Sequence, residues 1–199
     1  MIEVIEPSQF TIIPWKNGQG TTTELAINAA GNLDDFDWRL SIATVTSDGL
    51  FSDFSGYDRN LVLIEGNGIS LQHDDKHVDI LRERLDIASF SGSSKTYGRL
   101  ASGAIKDFNI MTKSNKIIPN VHCYHEQQKV VVRLTQTQIC FAYSLTDAIT
   151  VDMVKEKNMV VPVGCLIKLS AQSGEQESTH STVELMGNNM IIIQLDSIQ

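Results

Sequence analysis

Alternation of apolar and polar residues with a period of two runs through most of this chain, and it leaves little room for any structure but sheet. Trp38, Leu40 and Ile42 alternate with Arg39, Ser41 and Ala43; Thr21, Thr23, Leu25 and Ile27 alternate with Thr22, Glu24 and Ala26. Successive side chains of a strand point to opposite faces, so each segment fits a strand with unlike faces. Leu61 to Ile64 is a short continuous apolar run, as for a strand buried on both faces. Further strands are predicted over Gln9–Ile13, Ile69–His73, His77–Leu81, Leu85–Phe90, Lys106–Thr112, Ile117–Val121, Val130–Leu134, Ile139–Tyr143, Ile149–Val151, Met159–Val163, Leu166–Leu169, Thr182–Leu185 and Met190–Leu195. Glu65-Gly66-Asn67-Gly68 and Asp74-Asp75-Lys76 read as turns between them. Asp147 to Lys157 comes nearest to a helix, and its Ile149, Thr150 and Val151 argue against one.

Many short strands separated by turns mean a sandwich or barrel. Roughly sixteen strands is about twice what one small jelly roll uses, so two half-barrels in one chain are expected. Ser114-Asn115, where one strand ends and the next begins, suggests a division into residues 1–114 and 115–199. The polar, Glu-rich tract Gln172 to Thr179 reads as an exposed loop of the second half.

Composition narrows the function. A formal net charge of −8 and no basic patch argue against a nucleic-acid partner. No apolar run is long enough to span a bilayer, so no membrane partner is expected. The acidic start, Met1-Ile2-Glu3-Val4-Ile5-Glu6, is unlike a signal peptide and predicts a cytoplasmic protein. Cys123, Cys140 and Cys165 are widely spaced and lack zinc spacing, which fits reduced, mostly buried thiols.

The residues that could carry chemistry fall into three clusters. In Pro14-Trp15-Lys16-Asn17-Gly18-Gln19-Gly20-Thr21-Thr22-Thr23-Glu24, Asn17-Gly18 signals a tight turn and Gly20 permits a close backbone approach. The turn either presents Lys16 and backbone N–H groups to a ligand or is a hairpin loop anchored by Trp15. Glu24, Arg39 and Ser41 lie on the polar faces of their strands. They converge if those strands pair, the Arg39 fork then being a natural carboxylate clamp; otherwise Glu24 and Arg39 form a surface ion pair. The second cluster, Gly49-Leu50-Phe51-Ser52-Asp53-Phe54-Ser55-Gly56-Tyr57-Asp58-Arg59, joins three aromatics to Asp58 and Arg59, which are expected to brace each other and the loop. In the third, Asp107-Phe108-Asn109-Ile110-Met111, the side chains of Asp107 and Asn109 share a face suited to a polar ligand, unless Asp107 only stabilises a turn. The pairs His73/His77 and His122/His125 lie on strands or loops, where such spacings do not bring side chains together, and no His-x-His occurs. Neither a metal nor another cofactor is expected. No Gly-x-Ser-x-Gly and no Walker or Rossmann glycine pattern appears.

Taken in order, Pro14 to Glu24, Trp38 to Ala43, Gly49-Leu50-Phe51-Ser52 with Gly56-Tyr57-Asp58-Arg59, and Asp107 to Met111 resemble the motif series of the HutD/Ves family. The resemblance implies a cupin-type double β-barrel, a bicupin. It implies a small-carboxylate site, with formate, urocanate or formylated glutamate as ligands, and a regulatory role tied to histidine utilisation or stress response. It carries the ligand-binding role onto Trp15, Lys16, Asn17, Gly18, Gly20, Thr22, Glu24, Arg39, Ser41, Asp58, Arg59, Asp107 and Asn109 of this chain, without a metal. A homodimer is a further expectation from the resemblance. The alternatives are a cupin hydrolase, isomerase or lyase using Glu24 or Asp107 as general base, and a regulator acting through protein contact alone. The chain departs from the family pattern at Gln19, where glycine is usual, at Leu50, where proline is usual, and at Ser93, where an acid often follows Gly92.

Overall fold

The alternating segments form strands throughout the computed structural model, which describes residues 1–15, 20–153, 158–171 and 181–198. In chain order these are β1 (Ile2–Ile5), β2 (Thr11–Pro14), β3 (Gly20–Ile27), β4 (Trp38–Val45), β5 (Gly49–Leu50), β6 (Tyr57–Glu65), β7 (Ile69–His73), β8 (His77–Leu81), β9 (Ile87–Ser91), β10 (Thr96–Leu100) and β11 (Ile105–Lys113). They continue with β12 (Ile117–Tyr124), β13 (Gln128–Leu134), β14 (Gln138–Ser144), β15 (Ile149–Met153), β16 (Met159–Val161), β17 (Leu166–Ser170), β18 (Ser181–Gly187) and β19 (Met190–Ser197). The fold is all-β; the helical geometry among the described residues is the 3-10 turn Pro7–Gln9. The expected loop at Gln172 to Thr179 and the end of the Asp147–Lys157 segment lie outside the described residues.

The chain divides into two units, residues Phe10–Ile117 and residues Met1–Gln9 with Ile118–Gln199. In the first, the described strands form a sheet of order β2-β3-β4-β11-β6-β9 and a smaller one of order β5-β10-β7-β8. Its core lies between them: Val45, Leu61, Leu63, Ala88 and Ile105 of the larger sheet pack with Ile69, Leu71 and Leu81 of the smaller. Pairing is antiparallel, with Ser41 opposite Asn109 and Asn109 opposite Leu61. A second apolar group, Phe36, Tyr57 and Met111 with Ile27 and Phe54, closes the other end of the same face.

In the second unit the sheets are β1-β17-β14-β19-β12 and β13-β18-β15-β16. Val132, Cys140, Ala142, Val151, Ile167, Val183, Leu185 and Ile192 are buried in its core. A division at residue 114 assigns β1 to the first half. Its backbone bonds instead place it on the edge of the other unit, with Ile2 opposite Leu169 and Ile5 opposite Leu166. That pairing spans most of the chain, and local patterning does not reveal it. The alternation also misses β1, β5 and β10. They are short or broken by Gly49 and Gly98, and their pairing is set by their neighbours.

Candidate functional site

The larger sheet of the first unit carries a polar band across its inner face, between the apolar core and the aromatic end. Directly paired residues of antiparallel strands share a face, so the register gives the rows. Thr22, Ala43, Asp107 and Leu63 form one row; Glu24, Ser41, Asn109, Leu61 and Ala88 the next; Ile27, Arg39, Met111, Arg59 and Phe90 the third. Two carboxylates, two guanidiniums, two hydroxyls and an amide therefore meet on one largely buried surface.

One irregularity adjusts the band. The register of β3 against β4 passes from Glu24–Ser41 to Ala26–Leu40, which makes Leu25 an extra residue. Such a bulge reverses the alternation beyond it. Ile27 consequently shares the face of Glu24 and Arg39 rather than opposing it, and packs with Phe36, Tyr57 and Met111. This corrects the simple alternation expected for Thr21 to Ile27.

Arg39 is 5% exposed and donates through Nε to Glu24 Oε2 at 2.6 Å. The pair is a partly buried, charge-assisted bond rather than a surface contact. Arg59 is 6% exposed. Its guanidinium lies over Phe51, Phe54 and Phe90, 5.1–5.6 Å from the ring centroids, a cation–π setting that partly replaces water. Its Nη2 donates to Asn109 Oδ1 at 3.1 Å and Nη1 to the Ser52 carbonyl at 3.4 Å. Asn109 Nδ2 donates in turn to Asp107 Oδ1. Arg59 Nε and Asp107 Oδ2 are buried and have no hydrogen-bond partner among the described residues.

Burial sets the ionisation of this relay. Asp107 is fully buried, with Ala43 and Leu63 as its row neighbours. Loss of water pushes its pKa up to about 7, against the opposing pull of Arg59 and the Asn109 amide. Arg59 is lowered to about 10, first by burial, with Asp107 raising it and Arg39 lowering it further. It remains a cation at neutral pH, while burial favours the protonated form of Asp107.

At the entrance to β3, the Trp15 indole donates to Thr22 Oγ1 at 2.8 Å, and Trp15 N–H bonds the Gly20 carbonyl at 3.0 Å. A Cβ on Gly20 would lie 2.4 Å from the Thr44 carbonyl oxygen and 2.9 Å from the indole, so this position takes glycine for close approach. Trp15 also packs against the core. Lys16, Asn17 and Gly18, expected to supply charge and donors, lie outside the described residues, as does Gln19.

The structure brings together Thr22, Glu24, Arg39, Ser41, Arg59, Asp107 and Asn109. It does not bring Asp58 with them: Asp58 pairs with Ser91 and Thr112 on the opposite face. The expected mutual bracing of Asp58 and Arg59 is therefore wrong, since adjacent strand residues point apart. The histidine reading also needs correction. His73 and His77 face each other across the β7–β8 hairpin, their rings 6.0 Å apart. Both reach Asp79, His73 Nε2 at 3.2 Å and His77 Nε2 at 3.0 Å, while His73 Nδ1 lies 2.8 Å from Thr96 Oγ1. Asp74 and Asp75, with φ of 49° and 56°, form the turn that aligns them. The hairpin predicted around Asp74-Asp75-Lys76 already contained that signal. Among the described residues no group of three or more His, Cys, Asp or Glu side chains is placed to hold a metal ion. No helix among them is long and apolar enough to cross a membrane.

Fold and site together define an all-β protein of paired antiparallel sheets, one unit of which encloses a buried carboxylate–guanidinium–amide cluster. Its structural neighbours are of the cupin type, and the more distant, among them a bacterial pirin of Escherichia coli, share the fold alone. The chain belongs to the HutD family, whose family model matches residues 8–186. It is 37% identical over 110 residues, 55% of the chain, to an uncharacterised 21.2 kDa protein in the hutC 3′ region of Pseudomonas putida, covering 57% of that relative. It is also 37% identical over 102 residues, 51% of the chain, to protein Ves of Escherichia fergusonii, covering 52% of that protein. The chain thus spans little more than half the length of these curated relatives. HutD of Pseudomonas fluorescens SBW25, whose structure was obtained in a formate condition, is 26% identical, covers both chains completely and superposes with a TM-score of 0.82.

Proposed function

We propose that the first unit binds a small monocarboxylate on the inner face of its larger sheet and that the protein acts as a cytoplasmic ligand-responsive regulator. The observation that carries this reading is the pair of buried guanidiniums, Arg39 and Arg59, on one row of that face, with Arg59 Nε unpaired among the described residues. Two buried cations beside one fixed anion, Glu24, favour a further negative charge when Asp107 holds its proton. In this reading Arg59 takes the carboxylate, Arg39 is held in place by Glu24, and Asn109 and Ser41 orient the ligand. Thr22 keeps the Trp15 indole in position. Lys16, Asn17, Gly18 and Gly20 supply further positive potential and donors, while Asp58 takes no part. The positive charge comes from guanidiniums and not from a metal, and the two units are cupin barrels.

Two relatives support the context. The formate condition of the Pseudomonas fluorescens HutD structure fits a site for a small carboxylate. The position of the Pseudomonas putida relative beside hutC fits a role in histidine utilisation. Thermal unfolding against formate, urocanate and formylglutamate, each with and without EDTA, tests the reading. A ligand at a hundred times its dissociation constant adds about 2.7 kcal/mol to stability. Arg59→Ala and Arg39→Ala are each expected to lose that ligand-dependent shift while still unfolding cooperatively. An unchanged shift in both variants removes the guanidiniums from the site. A stabilisation that disappears with EDTA replaces this reading with a metal-dependent one.

The second reading is an enzyme using Asp107 as general acid or base. What favours it is the position of its pKa near neutrality. Turnover of any compound in the panel by the wild type and its loss in Asp107→Asn would establish it.

A further inference from the structure

We infer that the anion site is coupled to a proton: a small monocarboxylate binds together with one proton that is held on Asp107. The inference rests on the carboxylate reading above and adds the charge state and ligand class that the site accepts.

The buried charge inventory gives the coupling. Arg39 and Arg59 carry two positive charges and Glu24 one negative charge on the same face. With Asp107 ionised the cluster is neutral, and an incoming carboxylate would leave one buried negative charge in excess. With Asp107 protonated the cluster carries one net positive charge, which a monoanion neutralises. Uncompensated charge away from water is costly, so the anion favours the protonated acid. A dianion gains no such balance, and a neutral amide or ester does not call for the proton.

Geometry places Asp107 to respond. Asn109 lies between the two groups, donating to Asp107 Oδ1 and accepting from Arg59 Nη2, so the acid and the cation that takes the anion are two ends of one relay. The other Asp107 oxygen, Oδ2, is buried and finds no donor among the described residues, which leaves it the place for the proton. The strands that flank Asp107 in its row present Ala43 and Leu63, neither of which holds charge. The remaining titratable or charged groups on this face are Glu24 of β3, Arg39 of β4, Arg59 and Tyr57 of β6 and, at its far end, Lys113 of β11, which is ion-paired with Asp35. On β7 and β8 of the facing sheet are His73, His77 and Asp79, which bond to one another and to Thr96. Lys16 lies outside the described residues. An acid that titrates at about 7 when the site is empty makes the coupling readable near neutral pH.

Sodium formate is the probe. Its affinity for the wild type, from thermal-shift titration at constant ionic strength, is expected to be about tenfold weaker at pH 8 than at pH 6. Calorimetry at pH 8 in two buffers of different protonation enthalpy should show uptake of about one proton per formate bound. Asp107→Asn, which keeps an acceptor for Asn109 and a fixed donor in place of the acid, should bind formate equally at both pH values with no proton exchange. A retained pH dependence in that variant overturns the assignment to Asp107. If the wild type binds formate with flat affinity and no proton uptake, the coupling is wrong while the carboxylate site stands. If formate, acetate and urocanate leave the wild type unshifted at every pH, the carboxylate reading falls and the coupling with it.

Discussion

At the scale of single residues, tolerance to change follows what each side chain replaces. Gly20 is fixed by the Thr44 carbonyl and the Trp15 indole, which would meet a Cβ at 2.4 and 2.9 Å. Gly20→Ala is expected to cost about 1–3 kcal/mol, read as a lowered midpoint in urea; an unchanged midpoint would mean the hairpin yields without strain. Asp107 has the opposite character, a cost that depends on pH. Its folded pKa is about 7, whereas an exposed aspartate titrates near ~3.9. The native state therefore holds the proton more tightly than the unfolded chain. The stabilising contribution is complete below about pH 4, declines as pH rises and is gone above about pH 7. Asp107→Asn removes this titration. Its stability relative to wild type should rise between pH 4.5 and 7.5, by at most about 1.4 kcal/mol per pH unit, and a constant difference across that range would refute it. Residue patterning located Asp107 and Asn109 on one face. It joined Asp58 to Arg59 by adjacency, although the period of two already placed them apart.

At the scale of elements, pairing decides which residues become neighbours. The rows that assemble Glu24, Ser41 and Asn109, or Arg39 and Arg59, require β3, β4, β11 and β6 in that order, and no local pattern specifies sheet order. The bulge at Leu25 is likewise a consequence of register. The edge strand β1 offers a direct check. Ile2 and Val4 pack on the core of the second unit while the backbone pairs with β17. Removal of residues 1–6 is expected to lower the thermal midpoint and to speed hydrogen exchange of the Leu166–Leu169 amides, with exchange in β6 and β11 unchanged. Equal exchange in β17 with and without the segment would show that β1 adds nothing to that sheet.

At the scale of the whole molecule, the three cysteines report on both burial and chemistry. Cys123 and Cys140 are pushed up to about 12 and Cys165 is also raised, in each case by burial first. The thiolate is the reactive form, so the native protein at pH 7.5 should resist Ellman's reagent for many minutes. In guanidinium chloride all three thiols should react. Rapid labelling of one thiol in the native state would mark a segment that opens locally. The sequence by itself determined the all-β character, most of the strands and the residue types of the site, because a period of two is a local property that a sheet must display. It also carried the motif series of the HutD family. Tertiary structure decided that β1 crosses to the second unit, that Ile27 changes face, that His73 and His77 share Asp79, and that Arg59 reaches Asn109 and not Asp58. Each of these depends on hydrogen-bond register between strands distant in the chain or across a turn, where the free energy resides in pairing and burial and not in the local sequence.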